Sequence, residues 1–141
     1  MNDKNWNLVF ICWIVALVAT TGSLFFSEVM HFRPCSMCWY QRIAMYPLVL
    51  LFLPSLFKFD KDLLKYTLPL TVIGWFWAFY HNLLHWDIIP KSAAPCVRGV
   101  PCSTVYIRWG GFITIPLLSL IAFTIILILS YFLYRGLNRE Q

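Results

Sequence analysis

Residues 34–57 read PCSMCWYQRIAMYPLVLLFLPSLF, 24 positions in which Arg42 is the single charge. A helix needs about 20 apolar residues to cross a hydrocarbon layer roughly 30 Å thick. The stretch therefore predicts a membrane helix that opens on a pair of cysteines. Outward from it, runs free of Asp, Glu, Lys and Arg cover 5–27, 66–86 and 109–134, which are 23, 21 and 26 residues long. Together they predict an all-α membrane protein: one domain over 1–141, a bundle of four transmembrane helices at about 7–27, 36–57, 65–86 and 109–134. A β-barrel is disfavoured, because its strands would alternate apolar and polar residues and these runs do not.

Composition agrees. Hydrophobic residues make up 60% of the 141 positions and charged residues 12%, against about 25% charge in a soluble globule. The net charge of +5 raises the question of nucleic acid. The basic residues, however, stand at the ends of apolar runs and form no stripe, so they act as anchors and topology signals, and no nucleic-acid partner is expected. Run 5–27, behind Lys4, has the charge-then-apolar order of a signal peptide, but no Ala-x-Ala site follows, so it counts as a helix.

Four crossings put both termini and the 58–65 link on one side. That side carries Lys4, Lys58, Lys61, Lys65, Arg135 and Arg139, against Arg33, Lys91, Arg98 and Arg108 opposite, with Arg42 a possible fifth. The positive-inside tendency places the termini in the cytoplasm and the links at about 28–33 and 87–108 outside. Pro47, Pro54, Pro69 and Pro116 fall within the crossings, where neighbouring helices re-satisfy the freed carbonyls.

The outer side then holds two cysteine pairs, Cys35 with Cys38 in a C-x-x-C and Cys96 with Cys102 in a proline-flanked loop. Outside the cytoplasm disulfides persist. The first pair sits where the chain enters the second helix, whose unpaired N–H groups favour a thiolate. Cys35, Cys38 and Arg42 fall at i, i+3 and i+7, on one helical stripe. A guanidinium at the edge of hydrocarbon is costly and usually has a partner or a function. Three roles are open to it: holding Cys38 as a thiolate, hydrogen-bonding an electron acceptor, or snorkelling to the headgroups. The first pair is either redox-active or a static staple, and a staple closing so small a loop adds little stability. A four-thiolate zinc site ranks low, because the second pair is spaced too widely for the usual motif, so no metal is expected. The loop pair suits exchange with an incoming thiolate, with a simple clip as the alternative.

Cys12, deep in the first run, reads as an inert core cysteine. His31, His81 and His85 accompany no acid-containing metal motif. His85 is a candidate for contact with a bound acceptor or for relaying protons, with interfacial hydrogen bonding as the plainer role. Trp39, Tyr40, Trp86, Tyr106 and Trp109 match an aromatic belt at the outer interface.

Two dithiol pairs on one face suggest an electron relay from a soluble protein through the loop to the helix pair. No haem, flavin or iron–sulfur motif is visible to take the electrons, and a lipid-soluble quinone is the natural acceptor beside Cys38 and Arg42.

These features resemble the DsbB family of membrane disulfide-bond formation proteins, especially its short Bacillus-type branch, BdbC. The resemblance spans the chain and rests on Cys35-Ser36-Met37-Cys38-Trp39-Tyr40-Gln41-Arg42, on Val100-Pro101-Cys102-Ser103 and on Gly111-Phe112-Ile113-Thr114-Ile115-Pro116. It implies a protein-dithiol:quinone oxidoreductase of the bacterial cytoplasmic membrane, with its redox cysteines on the extracytoplasmic face. Such a protein reoxidises a thioredoxin-fold disulfide oxidase (DsbA- or BdbD-like) and passes two electrons to ubiquinone or menaquinone. By the family pattern Cys38 contacts quinone as a thiolate, Arg42 lies beside the ring, Cys35 exchanges with the loop, Cys96 is attacked by the oxidase and Cys102 hands on to Cys35. Two departures stand out: only five residues separate the loop cysteines, and Gln41 replaces a frequent Glu. A vitamin K epoxide reductase-like protein usually carries its redox pair later in the bundle. A small multidrug-type transporter would need a carboxylate inside a span, and none of the proposed spans has one. A structural membrane protein braced by disulfides is the remaining alternative.

Overall fold

The computed structural model describes residues 3–29, 31, 36–86, 88, 90 and 114–139. Four α-helices account for nearly all of them: α1 (Asp3–Leu24), α2 (Ser36–Phe57), α3 (Leu63–His85) and α4 (Ile115–Arg139). There is no strand among the described residues. α1 runs directly into a π-helical turn, Phe25–Val29. His31 follows in a left-handed conformation, φ 57°, which a polar residue such as His tolerates better than a β-branched one.

Several bounds differ from those expected. α1 starts at Asp3 rather than near residue 7, an acidic residue in the first turn where the helix dipole favours it. α4 runs on to Arg139 rather than stopping near 134, and a basic residue closes its last turn. Residues 109–113, expected to open the last helix, lie outside the described residues. Pro116 is the second residue of α4 rather than an interior one. There its missing N–H has no intrahelical acceptor to lose. Pro47, Pro54 and Pro69 do lie inside their helices.

Each helix packs against two neighbours, in the closed order α1–α2–α3–α4–α1. Named contacts set the directions. The indole of Trp6, at the start of α1, donates to the carbonyl of Leu56 near the end of α2 at 3.1 Å, satisfying one of the last-turn carbonyls that a helix leaves open. Arg42, early in α2, reaches Ser23 near the end of α1. Asn82, late in α3, donates to Pro116 at the start of α4 at 2.9 Å, and Asn5 faces Gly136 across α1 and α4. Neighbouring helices are thus antiparallel, as short links require. The described chain ends and the 58–62 turn share one end of the bundle. The end of α1, the start of α2, the end of α3 and the start of α4 share the other.

The core is apolar and tight. Val9, Cys12 and Ala16 of α1 meet Ala44, Met45, Leu48 and Phe52 of α2, Leu63, Leu64 and Ala78 of α3, and Phe123, Ile126 and Leu133 of α4. Outward the bundle is apolar too: Val18, Ile43, Leu50, Val72, Ile73, Phe76, Ile121 and Ile128 are all exposed. Such a surface is a liability in water and a fit to lipid.

Three helical stretches are long and apolar enough to cross a membrane: Asp3–Val29, Met37–Phe57 and Ile115–Arg139. The expectation of four is met in helix number but not in apolar character, because α3 falls short. Its 23 residues suffice in length, but Lys65, Thr67, Thr71, His81 and Asn82 lower its hydropathy. The last four of these are buried in the bundle, while Val72, Ile73, Phe76 and Phe79 of the same helix face outward. The polarity of α3 is turned inward.

Candidate functional site

Cys38 is the third residue of α2, so its N–H is among the first-turn donors that lack an intrahelical acceptor. The start of α2 packs on the end of α3, where Met37 and Leu84 are fully buried and Cys38, Trp77 and Tyr80 close around them. Tyr40 adds a second layer, its ring 4.8 Å from that of Trp77. Cys38 is half-buried beside this cluster.

Arg42, one turn further along α2, reaches across to α1. Its Nη2 donates to the carbonyl oxygen of Ser23 at 3.1 Å and to the hydroxyl of Ser27. Its guanidinium carbon lies 5.2 Å from the centroid of the Trp39 ring, a cation–π distance. The guanidinium is therefore half-buried and held by protein.

Between these two residues Gln41 points into the bundle. Its Nε2 lies 3.0 Å from Nδ1 of His81, and the hydroxyl of Ser119 on α4 donates to its Oε1. Gln41 is 6% exposed and His81 2%. The His85 ring stands 5.0 Å from that of His81, edge to face. Next along α3, Asn82 donates to the carbonyls of Ala78 and Pro116. A polar layer thus joins α2, α3 and α4 one turn below the helix mouth. Buried polar layers hold only when satisfied, and they then fix one arrangement of the helices.

Of the residues that the sequence points to, Cys38 and Arg42 share a stripe of α2, and His85 closes α3 on the same end of the bundle. Cys35, Cys96 and Cys102 lie outside the described residues. Cys12 is fully buried in the core, far along α1 from the mouth of α2. The Ser23–Ser27 pair and Ser119 escape a reading of the sequence alone. Two serines spaced i, i+4 at the C-terminal end of the first apolar run are the signal it offers.

The chain as a whole is similar to known proteins. A family model described as "Disulfide bond formation protein DsbB" matches residues 4–133. Disulfide bond formation protein C of Bacillus subtilis is 51% identical over 120 residues, covering 85% of this chain and 87% of that protein. The probable disulfide formation protein C of Halalkalibacterium halodurans is 44% identical over 135 residues, 96% of this chain and 98% of the relative. The probable disulfide formation protein of Deinococcus radiodurans is 41% identical over 129 residues, 86% of this chain and 84% of the relative. No solved structure matches.

Proposed function

The chain belongs to the DsbB family of disulfide bond formation proteins, and on that premise we propose that it oxidises an extracytoplasmic thioredoxin-fold dithiol protein at the expense of a membrane quinone. It is a multi-pass membrane protein acting in disulfide bond formation. The overall exchange balances: two thiols of the partner become one disulfide, and the two electrons and two protons they lose convert a quinone to a quinol. The observation that carries this reading is the pair Cys38 and Arg42, one turn apart at the mouth of α2, with the arginine fixed beside an exposed tryptophan.

The residues at that mouth fit a quinone. Among the described residues, Nη1 and Nε of Arg42 have no acceptor, so they are available to a carbonyl oxygen. Trp39 and Tyr40 offer exposed aromatic faces at the lipid boundary, and the surroundings are apolar. When bound, the quinone supplies a two-electron oxidant dissolved in the bilayer. The work of this chain is to seat Cys38 in the first turn of a helix, one turn from a guanidinium held by α1, and to hold that guanidinium as a donor toward an acceptor arriving from lipid.

The other roles follow the family pattern. Cys35 is the partner of Cys38, Cys96 receives the soluble oxidase, and Cys102 passes the exchange to Cys35. His85, at the same end of the bundle, is the further residue we assign to contact with the acceptor. The segment holding Cys96 and Cys102 runs between α3 and α4, whose flanking ends share the bundle end of Cys38, which supports exchange between the pairs. With α3 as the fourth crossing, its apolar residues facing lipid, the termini lie in the cytoplasm of the bacterial cell and the redox cysteines outside.

The test is anaerobic mixing of the purified chain with menaquinone or ubiquinone and a reduced thioredoxin-fold oxidase. Quinone absorbance should fall as partner thiols disappear, in one-to-one stoichiometry of quinone to disulfide. Cys38→Ser should abolish quinone reduction. Full turnover in that variant, or thiol oxidation without quinone consumption, would sink the reading.

A further inference from the structure

The π-helical turn at the end of α1 is an irregularity that the bundle alone does not require. π turns are rare, have poorer packing than α turns, and gather at functional sites. This one begins two residues after Ser23 and contains Ser27. The Ser27 hydroxyl donates to the Ser23 carbonyl at 3.1 Å. With its hydrogen so committed, its lone pairs are left for a donor from outside the helix, and that donor is Nη2 of Arg42. The same nitrogen gives its other hydrogen to the Ser23 carbonyl. Both hydrogens of Nη2 are thus spent on α1, and the ring of Trp39 lies against the guanidinium.

We propose that Ser27, presented by the π turn, is a positioning residue for Arg42: it ties one arm of the guanidinium to α1 so that the remaining N–H groups present a fixed edge to the quinone. This rests on the proposed role of Arg42 at the quinone site. Without the seat, an arginine with several rotatable bonds at a lipid boundary samples headgroup-directed conformations, and each excursion removes the donor from the site. The serine touches neither quinone nor sulfur. Its effect belongs to quinone affinity, through the fraction of time Arg42 is in place.

The experiment is steady-state kinetics on the full chain in detergent, with quinone varied at saturating reduced oxidase, for wild type, Ser27→Ala, Ser27→Thr, Arg42→Ala and the double variant Ser27→Ala/Arg42→Ala. Ser27→Ala should raise the KM for quinone about tenfold, the scale of a hydrogen bond to a charged group, with kcat nearly unchanged. Ser27→Thr keeps a hydroxyl able to bond the carbonyl four residues back, and should restore KM to near the wild-type value. In the Arg42→Ala background, Ser27→Ala should have no further effect, because there is nothing left to position. An unchanged KM in Ser27→Ala, a fall in kcat alone, or an equal effect with and without Arg42 would overturn the proposal. Were Ser27→Ala to fold poorly, Ser27→Cys takes its place, since it keeps the size but accepts only weakly: the KM for quinone should rise beside Arg42 and not in the Arg42→Ala background, and an unchanged KM overturns the proposal. Failure of wild type to reduce quinone at all is a different result, and would strike the function itself.

Discussion

Gln41 and His81 face each other across the α2–α3 seam, with Nε2 of the amide 3.0 Å from Nδ1 of the imidazole. The Ser119 hydroxyl donates to Oε1; with the amide in that orientation its NH2 group faces the ring and Nδ1 accepts. A neutral imidazole that accepts at Nδ1 carries its hydrogen on Nε2. The three side chains thus select one tautomer of a histidine buried at the end of the bundle that holds Cys38.

Replacing that amide tests the chain of bonds. Gln41→Leu takes one hydrogen bond from His81 and one from Ser119, and should lower stability by roughly 1–2 kcal/mol, the scale of interhelical bonds in membranes. Gln41→Glu keeps the shape and, as a carboxylate, offers no donor to Nδ1, so the ring places a hydrogen there. Nitrogen-15 shifts of the His81 ring should then move from the Nε2–H pattern to one with a proton on Nδ1. Identical spectra in the two proteins would mean that the amide does not set the tautomer.

Arg42→Lys keeps the charge but not the fork. A lysine ammonium cannot serve Ser23, Ser27 and an incoming carbonyl with fixed geometry, nor lie flat against Trp39 as a guanidinium does. The KM for quinone should rise by about tenfold, equivalent to about 1.4 kcal/mol, while the KM for the protein dithiol stays the same. Equal loss on both substrates would point to a general disturbance of the helix mouth.

Gly74 marks the closest approach of α3 to its neighbours. A β-carbon there would collide with two ring atoms of Phe123 and sit 3.0 Å from the β-carbon of Ala44. Phe123 is fully buried and has no space to swing into. Gly74→Ala should therefore cost about 1–3 kcal/mol by overpacking, read as a lower thermal midpoint in detergent. Phe123→Leu added to it should recover part of the loss, and a midpoint unchanged by the alanine would show that α3 and α4 stand further apart.

Cys12 is fully buried in the core against α2 and α4. Cys12→Ala should leave quinone reduction at wild-type rates and lower the thermal midpoint slightly, through a small cavity. A large loss of turnover would give this thiol a part in the chemistry.

The helices are legible in the sequence because lipid imposes a blunt rule: the apolar runs, three free of charge and one broken only by Arg42, are long enough to cross, and the other charges collect at their ends. α2 shows this best, with Ser36–Phe57 matching the stretch that begins at the C-x-x-C. The helix ends are less legible, since Asp3 and Arg139 extend α1 and α4 by dipole-compatible charges rather than by hydrophobicity. Of the site, the i, i+4 relation of Cys38 and Arg42 follows from spacing alone. What holds Arg42 does not, because Ser23 and Ser27 lie on another helix and become partners only when α1 and α2 pack. Gln41 and His81 are hidden for the same reason, being forty residues apart in the chain.

The inward-turned polarity of α3 bears on how the protein is made. A segment entering the bilayer by itself would keep Thr67 and Thr71 bonded to carbonyls of their own helix, but would expose His81 and Asn82 without Gln41 of α2 and the Pro116 carbonyl of α4. Interhelical partners for these two side chains come only with α2 and α4, which favours insertion of such a segment together with them. A nascent chain halted before residue 115 would lack the backbone carbonyl of Pro116 that meets Asn82.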